Sequence, residues 1–203
     1  MTRILLASTS IYRQQLLARL GVVFSVVDPA VDETPQPGED APALVARLAE
    51  AKARSGAEGE RDALVIGSDQ VAVLDGDILG KPGDAATNRQ QLQRAAGRRV
   101  QFHTGLCLLA TQSGRAQVEV VPFAVHFRML SHAQIAAYVA REQAFDCAGG
   151  FRCEGLGSLA TARTRHHHIG QQEIDRPIVI AADGQRLRLS LASPGIPLGR
   201  HRA

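Results

Sequence analysis

Residues 3–21 constrain the fold more than any other stretch of this chain. A short apolar run at 3–7 has the length of a buried strand, Ser8-Thr9-Ser10 supplies a turn and a helix N-cap, residues 11–20 carry helical spacing, and Gly21 supplies the stop. A serine-rich turn between strand and helix presents backbone N–H groups and the positive helix end to an anion. The alternation then continues. Residues 24–27 read as a second strand, a loop with three prolines and five acids spans 28–40, and a helix follows over 41–57. Residues 63–67 read as a third strand running into Ser68-Asp69-Gln70, and Asp75-Gly76 marks a hairpin between 71–74 and 78–79. After Gly80-Lys81-Pro82, Asp84 opens a helix to about residue 96. Two long β segments, 99–111 and 117–130, join at Ser113-Gly114; Ser131 caps a helix ending near Arg141, and 146–157 is a glycine-rich loop. Strands interleaved with helices, with a long hairpin among them, make an α/β fold with a partly antiparallel sheet and one domain over 1–203.

A chain of 203 residues with 45% hydrophobic content can bury one good core. Its formal charge of +3 is unevenly placed, because residues 1–157 hold 16 Lys/Arg against 17 Asp/Glu while 158–203 hold seven Arg against three acids. The basicity therefore belongs to the tail. A near-neutral body with 4% aromatics and no Trp lacks the basic stripe with interleaved aromatics of a nucleic-acid surface. Cys107, Cys147 and Cys153 are odd in number and form no CxxC pair, so neither a disulfide framework nor a zinc site is signalled. The apolar run at 4–7 is too short for a signal peptide, and no run approaches the roughly 18 apolar residues of a membrane span. The expectation is a soluble, cytoplasmic protein with no nucleic-acid or membrane partner; a homodimer stays open.

Of the 23 Lys and Arg residues only Lys52 and Lys81 are lysines. A lysine is a compact point charge that can lie against one phosphate, whereas Arg is a planar fork, so two lysines kept in an Arg-rich chain are candidates for sites that require lysine chemistry, with chance retention as the alternative. Lys52 follows the apolar stripe Leu44, Val45, Leu48; a solvent charge is the alternative. Ser8, Ser10 and Arg13 sit at the first strand–helix junction, where Arg13 can reach back to an anion and a bare cap is the alternative. Asp69 ends the apolar strand Leu64-Val65-Ile66 at a sheet edge, where ligands of α/β proteins collect; it would otherwise be a turn former. Asp32-Glu33 lies in the proline-rich loop, where an acid is commonly only solvated. Two carboxylates, two lysines and an Arg at such a junction suit a magnesium polyphosphate, the acids holding metal or activating water and the cations neutralising phosphate.

In this order the motifs resemble the Maf family of nucleotide pyrophosphatases. The residues that carry the resemblance are Leu6-Ala7-Ser8-Thr9-Ser10-x-x-Arg13, Val31-Asp32-Glu33, Arg47-Leu48-Ala49-x-x-Lys52-Ala53, Ile66-Gly67-Ser68-Asp69-Gln70 and Gly80-Lys81-Pro82, followed by Thr104-Gly105. They run from residue 4 to about 157. The resemblance implies an elongated α/β fold like that of inosine triphosphate pyrophosphatases, a mixed sheet flanked by helices with the substrate in a cleft between two lobes. It implies hydrolysis of a nucleoside triphosphate between the α and β phosphates with a divalent metal, magnesium or manganese. Asp69 then matches the catalytic base and a metal neighbour, Glu33 an acid near the metal, and Arg13, Lys52 and Lys81 the triphosphate contacts, with Ser8 and Ser10 beside them.

Within that family the chain looks most like the 7-methyl-GTP pyrophosphatases, through Tyr12, Gln70 and Glu154 as specificity residues, although that subgroup often has Trp at the position of Tyr12. A methylated guanine is cationic and stacks well on an aromatic face, and a carboxylate accepts both N–H donors of the guanine edge. A dTTP- or UTP-type specificity, or a regulatory nucleotide binder that has lost turnover, are the alternatives. After Gly157 the resemblance ends: Arg163 to His168 is basic and His-rich, with His166-His167-His168 reading as a solvated patch, and 178–182 is a short apolar run. Such an abrupt change of composition at Ser158 would also follow from a shifted reading frame.

Overall fold

In the computed structural model, which describes residues 2–152 and the strand backbones of 178–183 and 186–191, the chain opens on strand β1 (Arg3–Ala7) and helix α1 (Ile11–Ala18), as its sequence pattern predicts. Helix α1 ends at Ala18, short of the predicted Leu20, and Gly21 closes the turn beyond it with φ of 69°. Strand β2 (Ser25–Val27) returns parallel to β1, and helix α2 (Ala41–Gly56) follows the loop, its first turn capped by the Asp40 side chain accepting from the Ala43 N–H at 2.8 Å. Strands β3 (Ala63–Leu74) and β4 (Asp77–Leu79) turn at Asp75-Gly76, both at positive φ. Helix α3 (Ala85–Ala95) precedes the long hairpin β5 (Arg99–Ala110) and β6 (Arg115–His126); helix α4 (His132–Glu142) and a 3-10 turn, Ala148–Gly150, complete this part of the chain.

The six strands form one mixed sheet in the order β2-β1-β3-β5-β6, with β4 on β3. The sequence pattern predicts a strand at 63–67 and a separate hairpin arm at 71–74; the structure joins them into β3, because β5 pairs antiparallel along it from Leu64↔Ala110 to Val73↔Gln101. The opposite edge of β3 is shared. β1 pairs with it only as far as Ala7↔Gly67, and β4 takes over only at Ala72↔Leu79. Between them, residues 68–71 have no described strand on that edge.

Helix α2 lies on one face with a stripe at Ala41, Leu44, Val45, Leu48, Ala49, Lys52, Ala53 and Gly56, spaced at helical period. It lies unusually close. A Cβ at Gly67 would fall 2.1 Å from the Ala49 carbonyl oxygen, and one at Gly105 2.1 Å from that of Val45, so helix and strand backbones touch where any side chain would separate them. Two clusters line this seat, one of Leu5, Ala7, Ala49, Ala53 and Val65, the other of Leu44, Val45, Leu48 and Val71. A third cluster, at the far end of β3 and β5, joins Ala72, Leu74, Leu92, Phe102, Ile135, Val139 and Phe151 under α3 and α4. The chain divides into two compact units, Met1–Arg163 and Thr164–Ala203; the second, by itself, holds an antiparallel hairpin of β7 (Ile178–Asp183) and β8 (Arg186–Leu191). No described helix is long and apolar enough to cross a membrane.

Candidate active site

The interval at residues 68–71 is where the predicted chemistry collects. Side chains alternate along a strand, so Asp69 shares the face of Gly67 and Val71, which is the face covered by α2. Lys52, on the buried stripe of α2, points at it and donates from Nζ to Asp69 Oδ1 at 2.6 Å. The same Nζ meets Glu33 Oε1 at 2.5 Å, so one ammonium bridges two carboxylates. Lys81 Nζ reaches the other oxygen of Glu33 at 3.5 Å. The side chains of Lys52 and Asp69 are only 6% and 9% exposed, while Glu33 is 45% exposed, so the centre is buried on the sheet side and open on the loop side. The sequence places Asp69 at a strand end; it lies instead within β3, at the point where β1 has stopped and no described strand takes its place.

Burial by itself would raise the Glu33 carboxyl, but the hydrogen bond and charge of Lys52, with Lys81 behind them, outweigh it and hold the group below the usual glutamate range. Glu33 is therefore ionised at neutral pH. Among the described residues no group of three or more His, Cys, Asp or Glu is arranged to hold a metal. Glu33 and Asp69 offer two hard carboxylates that already converge on one cation, and magnesium commonly takes one or two carboxylates together with substrate phosphates and water. The predicted pair fits such an ion. Thiol chemistry does not fit: burial pushes the free thiols of Cys107 and Cys147 up to about 11.

At the start of α1 the two serines serve first as caps. Ser10 Oγ accepts from the Arg13 N–H at 3.5 Å, and Ser8 Oγ accepts from the Ser10 N–H at 3.2 Å and from Arg13 Nη1 at 3.3 Å. Arg13 thus folds back over the strand–helix junction, as its spacing predicts. Gln70 faces away from Asp69, as adjacent strand residues must, and donates from Nε2 to Thr104 Oγ1 at 2.8 Å across the ladder. Its face is that of Ala72 and Leu74, the α3/α4 side. On that side the Arg152 guanidinium stands 4.7 Å from the centroid of the Tyr12 ring, and the Arg152 N–H donates to the Tyr138 hydroxyl at 3.0 Å. Glu154, the third specificity residue, lies outside the described residues, as do Cys153 and His166 to His168.

Residues that the site-residue reading did not include also belong here. Arg152 meets Tyr12 from just beyond the 3-10 turn, a pairing for which sequence spacing gives no signal. Gln91 Nε2 donates to the Gly80 carbonyl at 3.2 Å and the Gly149 N–H to the same oxygen at 3.3 Å, tying down the loop that carries Lys81. Arg47, part of the Arg47-Leu48-Ala49-x-x-Lys52 motif, grips the Glu33 loop through Thr34 and Glu39, and its place five residues before Lys52 on the same helix is the available clue.

The fold and this centre define an α/β protein with a buried lysine joined to two acids at an interrupted strand edge. The chain belongs to the family described as Maf-like protein, whose model matches residues 3–169 and so continues past Gly157. It is 54% identical over 154 residues to a 7-methyl-GTP pyrophosphatase of Nitrosococcus oceani, covering 76% of this chain and 77% of that one. It is 52% identical over 157 residues to a 7-methyl-GTP pyrophosphatase of Pseudomonas fluorescens, covering 77% and 82% of the two chains, and 51% identical over 154 residues to one of Thiobacillus denitrificans, covering 76% and 77%.

Proposed function

We propose that this chain hydrolyses 7-methyl-GTP, or a closely related modified nucleotide, to the monophosphate and pyrophosphate. The observation that carries the chemistry is the single Lys52 ammonium holding Asp69 and Glu33 together beside residues 68–71 of β3, where no described strand lies on that edge. The similarity to proteins named for that reaction supplies the substrate.

Asp69 acts as the base, its Oδ1 held by Lys52 so that the carboxylate keeps one orientation. A water oxygen attacks the α-phosphorus, its proton passes to Asp69, and the bond from the α-phosphorus to the bridging oxygen breaks to release pyrophosphate. The leaving group carries the developing charge, and Lys81, Lys52 and Arg13 would balance it, with Ser8, Ser10 and the N–H groups at the start of α1 offering further donors. A divalent ion, magnesium or manganese, would be held by Glu33 and Asp69 and would neutralise phosphate charge. Because Asp69 and Gln70 face opposite ways, the interval at 68–71 would let an extended nucleotide pass the strand edge, its phosphates toward α2 and its base toward Tyr12 and Gln70. A cytoplasmic location is part of this reading, supported by the free thiols; so is a homodimer, supported by the exposed Ile11, Leu16, Leu20 and Val23 in and just after α1.

The test is pyrophosphate release by the purified protein, with magnesium or manganese, from 7-methyl-GTP, GTP, dTTP and UTP. The expected result is the highest kcat/KM for 7-methyl-GTP, with that preference over GTP reduced by Tyr12→Leu through the loss of a cation–π contact of ~0.5–2 kcal/mol. Release from none of the four, with nucleotide still bound, would establish the regulatory binder instead.

A further inference from the structure

Glu33 presents a problem of placement. It meets Lys52 at 2.5 Å, yet it sits in a loop, 28–40, with three prolines and not one fully buried residue, so apolar packing does not hold it there. Hydrogen bonds must. Asp32 Oδ1 accepts from the Thr34 N–H at 2.9 Å and closes a tight turn around Glu33. The carbonyl of Thr34, the next residue after Glu33, accepts from Arg47 Nη2 at 3.1 Å. The same guanidinium forks onto Glu39 further along the loop, Nε to Oε1 at 2.6 Å and Nη2 to Oε2 at 2.8 Å, and Glu39 Oε2 also accepts from the Gln36 N–H at 2.9 Å. This is a planar, two-point contact of the kind lysine cannot make. The Glu39 side chain is only 8% exposed, and its hydrogen bond to Arg47 holds its carboxyl down at about 2.

We propose that Arg47 is a positioning residue for Glu33: through one guanidinium, the helix that carries Lys52 also fixes the loop that carries Glu33, so that the acid and the lysine are presented in register. Arg47 and Lys52 are five residues apart on α2, so any shift of that helix moves lysine and clamp together. The role rests on the pyrophosphatase reading. A merely structural part for Arg47, holding the start of α2 through Glu39, predicts a different pattern under mutation, because its effect would not depend on Glu33.

The experiment measures kcat and KM for 7-methyl-GTP with magnesium in the parent, Arg47→Met, Glu33→Gln and the double variant, with amide hydrogen exchange at Thr34 and Gln36 in the same proteins. Arg47→Met is expected to lower kcat/KM by ~10- to 100-fold and to speed exchange at both amides. On top of Glu33→Gln the further loss should be under about twofold, since the residue being placed has already been disabled. Equal losses in the two backgrounds, or unchanged exchange, would overturn the proposal. Arg47→Lys keeps the charge without the fork and should lose as much as Arg47→Met; full activity with lysine would overturn the role of the fork. If Arg47→Met does not fold, Glu39→Gln weakens the same clamp from the loop side and is held to the same two outcomes. A parent inactive on every nucleotide would end the pyrophosphatase reading, while the exchange measurement would still decide whether Arg47 orders the loop.

Discussion

Gly105 has ordinary extended backbone geometry, so replacing it with alanine tests space alone. It lies directly opposite Asp69 in the β3–β5 ladder, under α2. Its new Cβ would stand 2.1 Å from the Val45 carbonyl oxygen, 2.5 Å from the Val45 carbonyl carbon and 3.1 Å from the Ala46 nitrogen, all backbone atoms that cannot turn aside. Reaching the 3.4 Å at which ordinary contact begins requires the helix to rise by about 1.3 Å. Overpacking of this kind costs ~1–3 kcal/mol, which for a chain of this size lowers Tm by ~2–4 °C per kcal/mol. Lys52 rides on the same helix two turns further on. A rigid lift would stretch its contacts of 2.6 and 2.5 Å with Asp69 and Glu33 toward ~3.8 Å, beyond hydrogen-bond range. A misplacement of about 1 Å in a catalytic group is worth ~10² in rate. The expected outcome for Gly105→Ala is thus a lowered Tm by calorimetry and a roughly hundredfold lower kcat in the pyrophosphate assay. A Tm and kcat equal to the parent's would refute the close seating of α2, and a lowered Tm with unchanged kcat would show that the Lys52 contacts do not depend on it.

Asp69→Asn keeps the shape but cannot take a proton, so kcat should fall by ~10² or more while nucleotide still binds; unchanged turnover would remove Asp69 from the mechanism. Lys52→Arg and Lys81→Arg should both impair turnover although charge is retained, most severely at buried Lys52, where a planar fork has no room between two carboxylates; full activity in both would show that only charge matters. Glu39 has its pKa depressed from 4.5 to about 2, chiefly by the Arg47 hydrogen bond, so its stabilising effect is present above 4.5 and is lost as pH falls through 2. The Tm difference between parent and Glu39→Gln should accordingly be steady at neutral pH and narrow as pH falls from 4.5 toward 2; a constant difference over that range would contradict the pairing.

The helix α2 shows what sequence can reveal of such a site. Its buried stripe recurs at every third or fourth residue, and Lys52 falls on that stripe, so a lysine facing the sheet was legible from spacing before any contact was known. Asp69 was legible as a site residue but its position was not. The strand's own sequence does not encode where a neighbouring strand stops, and only the pairing of β1 and β4 shows that Asp69 sits in the interval between them. Glu33 was harder still, because a polar, proline-rich loop has no period from which orientation can be read. The fork from Arg47 joins residues on either side of the Asp40 cap, and the contact of Arg152 with Tyr12 joins the segment after the 3-10 turn to the first helix; both are products of the folded chain. Gly67 and Gly105 were visible as motif letters, and the close approach of α2 supplies their physical reason.

Asp69 and Gln70 are neighbours in sequence but lie on opposite faces of the sheet, the acid with Lys52 under α2 and the amide with Thr104 on the side of α3 and α4. On the proposed reading, phosphate chemistry and base recognition rest on different packing: the first on a helix seated on two glycines, the second on a cluster of aromatic and aliphatic side chains around Phe151. On that reading, changes to the α3/α4 side would retune which base is accepted without moving Lys52, because among the described contacts the two sets meet at β3. The edge of β3 at residues 68–71, on which no described strand lies, is where one substrate would engage both.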